Sequence, residues 1–241
     1  MLHRSCGRAA LACGVAVFTT GVGFAQTSGF GSALSFDGIN DEARSDANFD
    51  TQSLTVEAWV QVRSVGAPGF GGLAAWGRNT DASWEIALAG NGSLTFACNW
   101  NKADYRIATI AGVHVPNQWS HVAVTYDGST ARYYSNGVQV GSAAFNVPIS
   151  TGGAGAWMGM VNQFPGVDEF FAGSVDDLRI WSVVRSADEI RCAMGRPLVG
   201  NETGLLAAYR FDDGAGQIIL DSSANARDAY LGAAPGADSA D

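Results

Sequence analysis

Over 53–62 the chain alternates between two surfaces. Leu54, Val56, Ala58, Val60 and Val62 lie on one side, and Ser53, Thr55, Glu57 and Gln61 on the other, with Trp59 the single large residue among them. Period-two alternation of this kind builds a strand with one face on a core, and an amphipathic helix cannot satisfy it. The rhythm returns at Trp84, Ile86 and Leu88, at Leu94, Phe96 and Cys98, at Val122, Val124 and Tyr126, and at Asp176, Leu178 and Ile180. Asn91-Gly92, Asp127-Gly128 and Asn136-Gly137 stand between such runs. Asn-Gly tolerates positive φ at both turn centres, as a type I′ hairpin requires. Many short strands joined by turns predict an all-β fold, a two-sheet antiparallel jelly-roll sandwich. One short helix is predicted as a connector. Ser186-Ala187-Asp188-Glu189 is a capping box, Ile190 and Met194 share its inner side, and Pro197 ends it.

The N-terminus carries a different signal. Arg4 and Arg8 flank the start of an apolar run, 9–22, and Gly23 and Ala25 are the small residues that precede a cut before Gln26. This is the pattern of a secretory signal peptide over 1–25, cleaved between Ala25 and Gln26. The run is short for a retained spanning helix, so no membrane span is expected after cleavage. The expected location is secreted: periplasmic, extracellular or at the cell surface. The 241-residue chain has a formal net charge of -9. An acidic surface disfavours nucleic acid and polyanionic glycans as partners. No linker divides the remainder. The strand-like segment 204–232, with Leu205, Ala207, Tyr209 and Phe211 on one face, is too small to bury its own core and joins one domain over 28–232. The end, 233–241, reads as a disordered tail.

Export bears on the cysteines. Cys98 and Cys192 remain after cleavage, and an oxidising compartment favours a disulfide between them. It would close a loop of about 94 residues, worth at most roughly 4–5 kcal/mol. The alternative is a pair of buried thiols, since Cys98 alternates with Leu94 and Phe96 on an apolar face.

Five segments, in order, resemble a known family. They are Ala33-Leu34-Ser35-Phe36-Asp37-Gly38, then Leu54-Thr55-Val56-Glu57-Ala58-Trp59-Val60, then 119–128 with its Trp119-Ser120-His121, then the hairpin 134–138, and finally Gly173-Ser174-Val175-Asp176-Asp177-Leu178-Arg179-Ile180-Trp181 leading into the capped turn. Over about 30–195 the order resembles the laminin-G-like, pentraxin-like jelly rolls of the concanavalin A-like lectin and glucanase superfamily. The resemblance implies a module that binds an extracellular glycan or protein, often with calcium, and it implies glycoside hydrolases among more distant relatives.

The site residues follow from these readings. Calcium takes six to eight oxygen ligands. Asp37, Asn40 and Asp41 form an oxygen-rich turn, and Asp176 sits beside inward-facing Leu178. One structural calcium held by Asp37, Asn40 or Asp41, and Asp176 is the expected cofactor. The alternative is that Asp37 and Asn40 form Asx-turns and Asp176 pairs with Arg179 or backbone amides. For a sugar, flat aromatics beside amides are the signature. Asn99, Trp100, Asn101 and Tyr105 have that mixture, and Gln163 to Phe170 form a weaker second patch. Trp100 could equally continue the inward face of Phe96 and Cys98.

Catalysis is not expected. A glycosidase needs two carboxyl groups across the scissile bond, and no Glu-x-Asp-x-Glu occurs. Glu57 and Glu85, mid-strand on polar faces, are the pair that could still meet in space. His114 and His121 belong to no nucleophile or zinc motif. The leading expectation is a non-catalytic recognition module, followed by a glycan-active hydrolase and by a structural or adhesive envelope protein.

Overall fold

The computed structural model describes residues 31–65, 69–78, 82–164, 167–213 and 216–232. The expected signal peptide with its Ala25/Gln26 cleavage point, and the tail 233–241, lie outside them. In chain order the strands are β1 (Leu34–Asp37), β2 (Ala43–Ser45), β3 (Leu54–Val65), β4 (Phe70–Trp76), β5 (Trp84–Ala89), β6 (Leu94–Cys98), β7 (Arg106–Ile110) and β8 (Ser120–Tyr126). Then come β9 (Thr130–Ser135), β10 (Val138–Ala144), β11 (Ala156–Met158), β12 (Met160–Phe164) and β13 (Val167–Trp181). Helix α1 (Ala187–Ala193) precedes β14 (Leu205–Tyr209), β15 (Ile218–Ile219) and β16 (Ala229–Leu231).

These strands form two antiparallel sheets. The first, sheet A, runs β1-β13-β3-β8-β9-β10, with β12 and β14 also paired to β13; sheet B runs β15-β16-β2-β11-β4-β5-β6-β7. The segment after the helix therefore contributes β14 to one sheet and β15–β16 to the other. The alternation of β3 does what its period dictates: Leu54, Val56, Ala58, Val60 and Val62 are buried in a core shared with Trp84, Ile86, Leu88, Leu94 and Phe96 of sheet B. A sandwich of this kind uses one face of each sheet and leaves the other to be solvated or covered.

Of the three turn dipeptides, Asn136-Gly137 has positive φ at both centres (48° and 74°). Asp127 instead makes an Asx-turn, its Oδ1 accepting from the Ser129 and Thr130 amides at 2.9 and 2.7 Å. Helix α1 begins with the capping box, Glu189 Oε2 accepting from the Ser186 amide at 2.8 Å. Ile190 and Ala193 are its buried residues, with Met194 at the C-cap. Ile190 packs on Ala123 and Tyr134, which lie on the side of sheet A away from the core. This placement overturns the expected disulfide. Cys98 is in the inter-sheet core and Cys192 is on α1, with sheet A between them, and both are thiols.

Candidate functional site

The outer face of sheet A is covered. Thr55, Glu57 and Trp59 of β3 point away from the core and grip the segment that returns after β13. Thr55 Oγ1 donates to the Val183 carbonyl (2.7 Å) and the Trp59 indole to the Met194 carbonyl (2.7 Å). Glu57 is fully buried. Its Oε1 accepts from Arg185 at 2.6 Å and from the Trp181 indole at 3.1 Å. Arg179 lies 4.0 Å away and spends its own donors on the Ala193 and Arg196 carbonyls, both at 2.9 Å. Burial raises the Glu57 pKa, while Arg185 and Arg179 pull against it. Burial and the same two guanidinium groups push His121 down to about 3. It is therefore neutral, and its 3.8 Å approach to Glu57 is not an ion pair. This cluster binds a connector to a sheet. His114 is likewise structural, buried and bonded through Nε2 to the Ala89 carbonyl at 3.0 Å.

The outer face of sheet B is built differently. Cross-strand register places Arg44, Trp157, Ala75, Glu85, Ala97 and Ile107 in one row. The hairpin of β12 and early β13 lies over this row, with Val161 packed on Ala75 and Ala87. The approach is close because β4 offers glycine there: a Cβ at Gly72 would fall 2.2 Å from the Val161 amide nitrogen, and one at Gly71 2.7 Å from the Phe171 Cα. Beneath this cover Glu85 is 1% exposed and Glu169 0%. Burial first, and then the like charge of Glu169, push Glu85 up to about 8. Glu57 and Glu85, the pair the sequence singled out, stand on outer faces of opposite sheets with the whole core between them and do not meet. Glu85 has Glu169 as its companion instead. Nothing local in the sequence announces that pair, because its members come from strands far apart in the chain.

The β6–β7 turn, 99–105, projects from the same sheet. Asn99 is buried with φ at 61°. Its amide donates to Asp104 Oδ2 and to the Pro148 carbonyl, both at 2.9 Å, and its Oδ1 accepts from the Ser150 amide at 2.7 Å. Asn99 is thus the pin of the turn rather than a ligand contact. Asn101, also at positive φ (57°), is exposed at the tip. Trp100 and Tyr105 are half-buried and meet edge to face, centroids 4.9 Å apart at 88°. Burial first, with Glu85, Cys98 and Glu169 adding to it, raises the Tyr105 pKa, so the phenol stays neutral beside the carboxyl pair. Burial also pushes the Cys98 thiol up to about 12. In the second aromatic patch Pro165 and Gly166 lie outside the described residues, and Asp168 pairs with Arg78 at 3.0 Å.

The expected calcium ligands do not converge. Leu34 registers with Val175 and Asp37 with Ala172, so Asp176 lies past the other end of β1, about 13 Å away along the strand. Asp37 Oδ1 accepts from the Ile39 amide at 2.7 Å, and Asp41 Oδ2 accepts from the Asp37 amide at 2.5 Å. Asp176, buried, accepts from the Asp177 amide at 2.8 Å. Among the described residues no group of three acidic, His or Cys side chains could hold a metal. The turn's oxygens serve Asx geometry, and a calcium site of Asp37, Asn40, Asp41 and Asp176 does not fit. A half-open apolar cavity of ≈ 220 Å³, walled by Leu34, Phe211, Ile219 and Leu231, lies at the β1–β15 edge, opposite Trp100.

A family model, Laminin_G_3, described as the concanavalin A-like lectin/glucanases superfamily, matches residues 37–191. The chain belongs to this family. Solved structures share the laminin-G fold at low identity. A Bacteroides ovatus ATCC 8483 protein designated "putative carbohydrate binding protein" has a TM-score of 0.66 at 19% identity over 83% of this chain. The laminin-G chain spans 58% of that protein's length. The Ruminococcus gnavus IT-sialidase CBM40 bound to α2,3 sialyllactose has a TM-score of 0.54 at 14% identity, over 68% of this chain and 98% of its own. A heptameric SAP-like pentraxin from Limulus polyphemus has a TM-score of 0.51 at 20% identity, over 65% and 78%. At these identities the likeness establishes the fold alone. No curated protein matches the chain. No helix among the described residues is long and apolar enough to cross a membrane.

Proposed function

We propose that this laminin-G domain is a secreted, non-catalytic module that recognises an extracellular carbohydrate through Trp100 and Tyr105. The carrying observation is the edge-to-face ring pair on a turn pinned by three hydrogen bonds of Asn99. Half-exposed rings held rigid offer the apolar face of a sugar a platform whose ordering cost is already met. Asn101 at the tip supplies an amide for hydroxyl groups. Two of the fold neighbours carry carbohydrate in their names, which supports the same reading. The hydrolase reading draws on Glu85 and Glu169, but both are buried, 1% and 0% exposed, whereas a glycosidase needs its carboxyl groups open to the scissile bond.

The test is a glycan array on the secreted protein followed by calorimetric titration of the best hit. Trp100→Ala and Tyr105→Ala should each weaken binding roughly tenfold, about 1.4 kcal/mol, with the melting temperature lowered by no more than a few degrees. A hit that both variants bind as well as the parent, or an array with no hit, overturns the assignment. Hydrolysis of any arrayed glycan that Glu85→Gln abolishes would establish the hydrolase instead.

A further inference from the structure

Charge at the β6–β7 turn runs against the rest of the molecule. The chain carries a net charge of -9, and its one lysine, Lys102, stands exposed at the tip of this turn. The Lys102 amide donates to the Asn99 carbonyl at 3.1 Å, and its carbonyl accepts from the Tyr105 amide at 3.0 Å. Lys102 thus lies on the folded backbone that joins Trp100 to Tyr105. Arginines elsewhere rest on carboxylates: Arg44 on Asp46 and Arg132 on Asp127, both at 2.7 Å, and Arg185 on Glu57 at 2.6 Å. Among the described residues neither Lys102 nor its neighbour Arg106 forms an ion pair. The turn's own acid is engaged inward, Asp104 Oδ2 accepting from the buried Asn99 amide at 2.9 Å. Arg106 spends Nε on the Phe145 carbonyl at 3.2 Å and Nη1 on the Tyr105 carbonyl at 2.8 Å. Carbonyls fix that guanidinium without cancelling its charge.

We propose, resting on the Trp100–Tyr105 platform above, that the sugar it takes carries a carboxylate and that Lys102 is the residue that selects it. Rings hold the apolar face of any pyranose and do not distinguish an acid from its neutral twin. An ammonium on a flexible stem beside them does, because it donates charge-assisted hydrogen bonds to carboxylate oxygens. Arg106, held at the base of the turn, adds to the same local positive field. The rest of the surface is acidic, so this attraction acts at short range on one carboxylate and does not extend along a polyanion. The ligand class is a monoanionic sugar residue, a hexuronate or a sialic acid.

Calorimetric titration of the secreted protein with matched pairs tests the assignment. One pair is methyl β-D-glucuronide and methyl β-D-glucoside; the other is methyl α-N-acetylneuraminide and its methyl ester. In one pair the acid should bind about fivefold tighter than its neutral twin. A preference in the first pair identifies a hexuronate, and one in the second a sialic acid. The preference should shrink as salt rises from about 0.05 to 0.5 M, vanish in Lys102→Gln and return in Lys102→Arg. Trp100→Ala should weaken acid and twin alike. Twins that bind equally in both pairs, or a preference that survives in Lys102→Gln, overturn the selection by Lys102 while the ring platform stands. If neither pair binds and the glycan array shows no hit, the platform itself falls, and the selection with it.

Discussion

The two sheets bury a glutamate each on their outer faces, and they do so with opposite electrostatics. On sheet A, Glu57 receives Arg185 and the Trp181 indole directly, with Arg179 at 4.0 Å. On sheet B, among the described residues, the charge acting on Glu85 is the like charge of Glu169. Both covers come from later chain, the α1 connector in one case and the β12–β13 hairpin in the other. The first cover is held by buried cation–carboxylate bonding, the second by the apolar packing of Val161 on Ala75 and Ala87 with one partly exposed ion pair, Arg78–Asp168, at its rim. A covered polar face can therefore be fastened by buried charge pairing or by apolar contact, depending on which side chains the cover brings with it.

The largest expected effect tests the buried charge pairing. Arg185→Ala leaves Glu57 buried without its closest cation and should cost about 3–5 kcal/mol, read as a lower urea midpoint at constant slope. A loss under about 1 kcal/mol would show that Arg179 and Trp181 suffice and would weaken the contrast between the faces.

Next comes the pH dependence of stability, in which His121 and Glu85 should pull in opposite directions, while Glu57, also raised by burial, acts in the same sense as Glu85. His121 is lowered to about 3 from 6.5, so the unfolded chain binds more protons between those values and stability rises with pH there. Glu85 is raised from 4.5 to about 8, so the folded chain holds the extra proton, and stability falls as pH climbs through that window. The two slopes oppose each other up to about pH 6.5, and the fall from Glu85 dominates between 6.5 and 8. Glu85→Gln should flatten that alkaline fall, and His121→Gln the acid-side rise. Unfolding curves across pH 4 to 9 decide it, and a Glu85→Gln profile parallel to wild type would show that Glu85 contributes nothing to the alkaline fall.

A smaller effect sharpens the comparison by exposure. Arg78→Ala also removes an arginine–carboxylate contact, but the side chains are 28% and 36% exposed, and the cost should stay within about 1 kcal/mol. A loss as large as that of Arg185→Ala would mean that the rim, not the apolar packing of Val161, holds the hairpin down. The smallest effect concerns the Asp37 turn. Calcium and chelator should give the same melting temperature, whereas a rise of several degrees with calcium would restore a metal site.

How far the sequence could be read follows from what its periods encode. The alternation at 53–62 identified the buried side of β3, Asn136-Gly137 the β9–β10 turn, and Ser186 with Glu189 the start of α1. Those are local patterns with local causes. Period two also put Glu57 and Glu85 on outer faces, but it carries no information about what later chain will lie on those faces. A solvated face was the natural reading, and burial under the 181–196 segment and under 160–170 reversed it. Gly71-Gly72 was the available trace of the hairpin's approach, since consecutive glycines in a strand mark a close backbone neighbour. The Asp37 turn and Asp176 failed to meet because antiparallel register, unknown from sequence, sets them past opposite ends of β1. Cys98 and Cys192 failed to pair because a helix that covers the outside of a sheet cannot reach a thiol inside the sandwich. At the β6–β7 turn composition alone marked Trp100 and Tyr105, and the positive φ of Asn99 explains why the aromatic run did not simply continue inward.

Strand β13 has one more consequence. It is the partner that β1 has in its sheet, the inner neighbour of β3, and the partner of β12 and β14. During synthesis from the N-terminus, β1 waits without a mate, and one edge of β3 stays open, until the chain has been made past Trp181. Pairings between such distant segments form slowly, and open strand edges invite wrong partners while they wait. Sheet A therefore cannot close until β13 has been made, whereas the β4–β7 and β8–β10 meanders hold all their partners earlier.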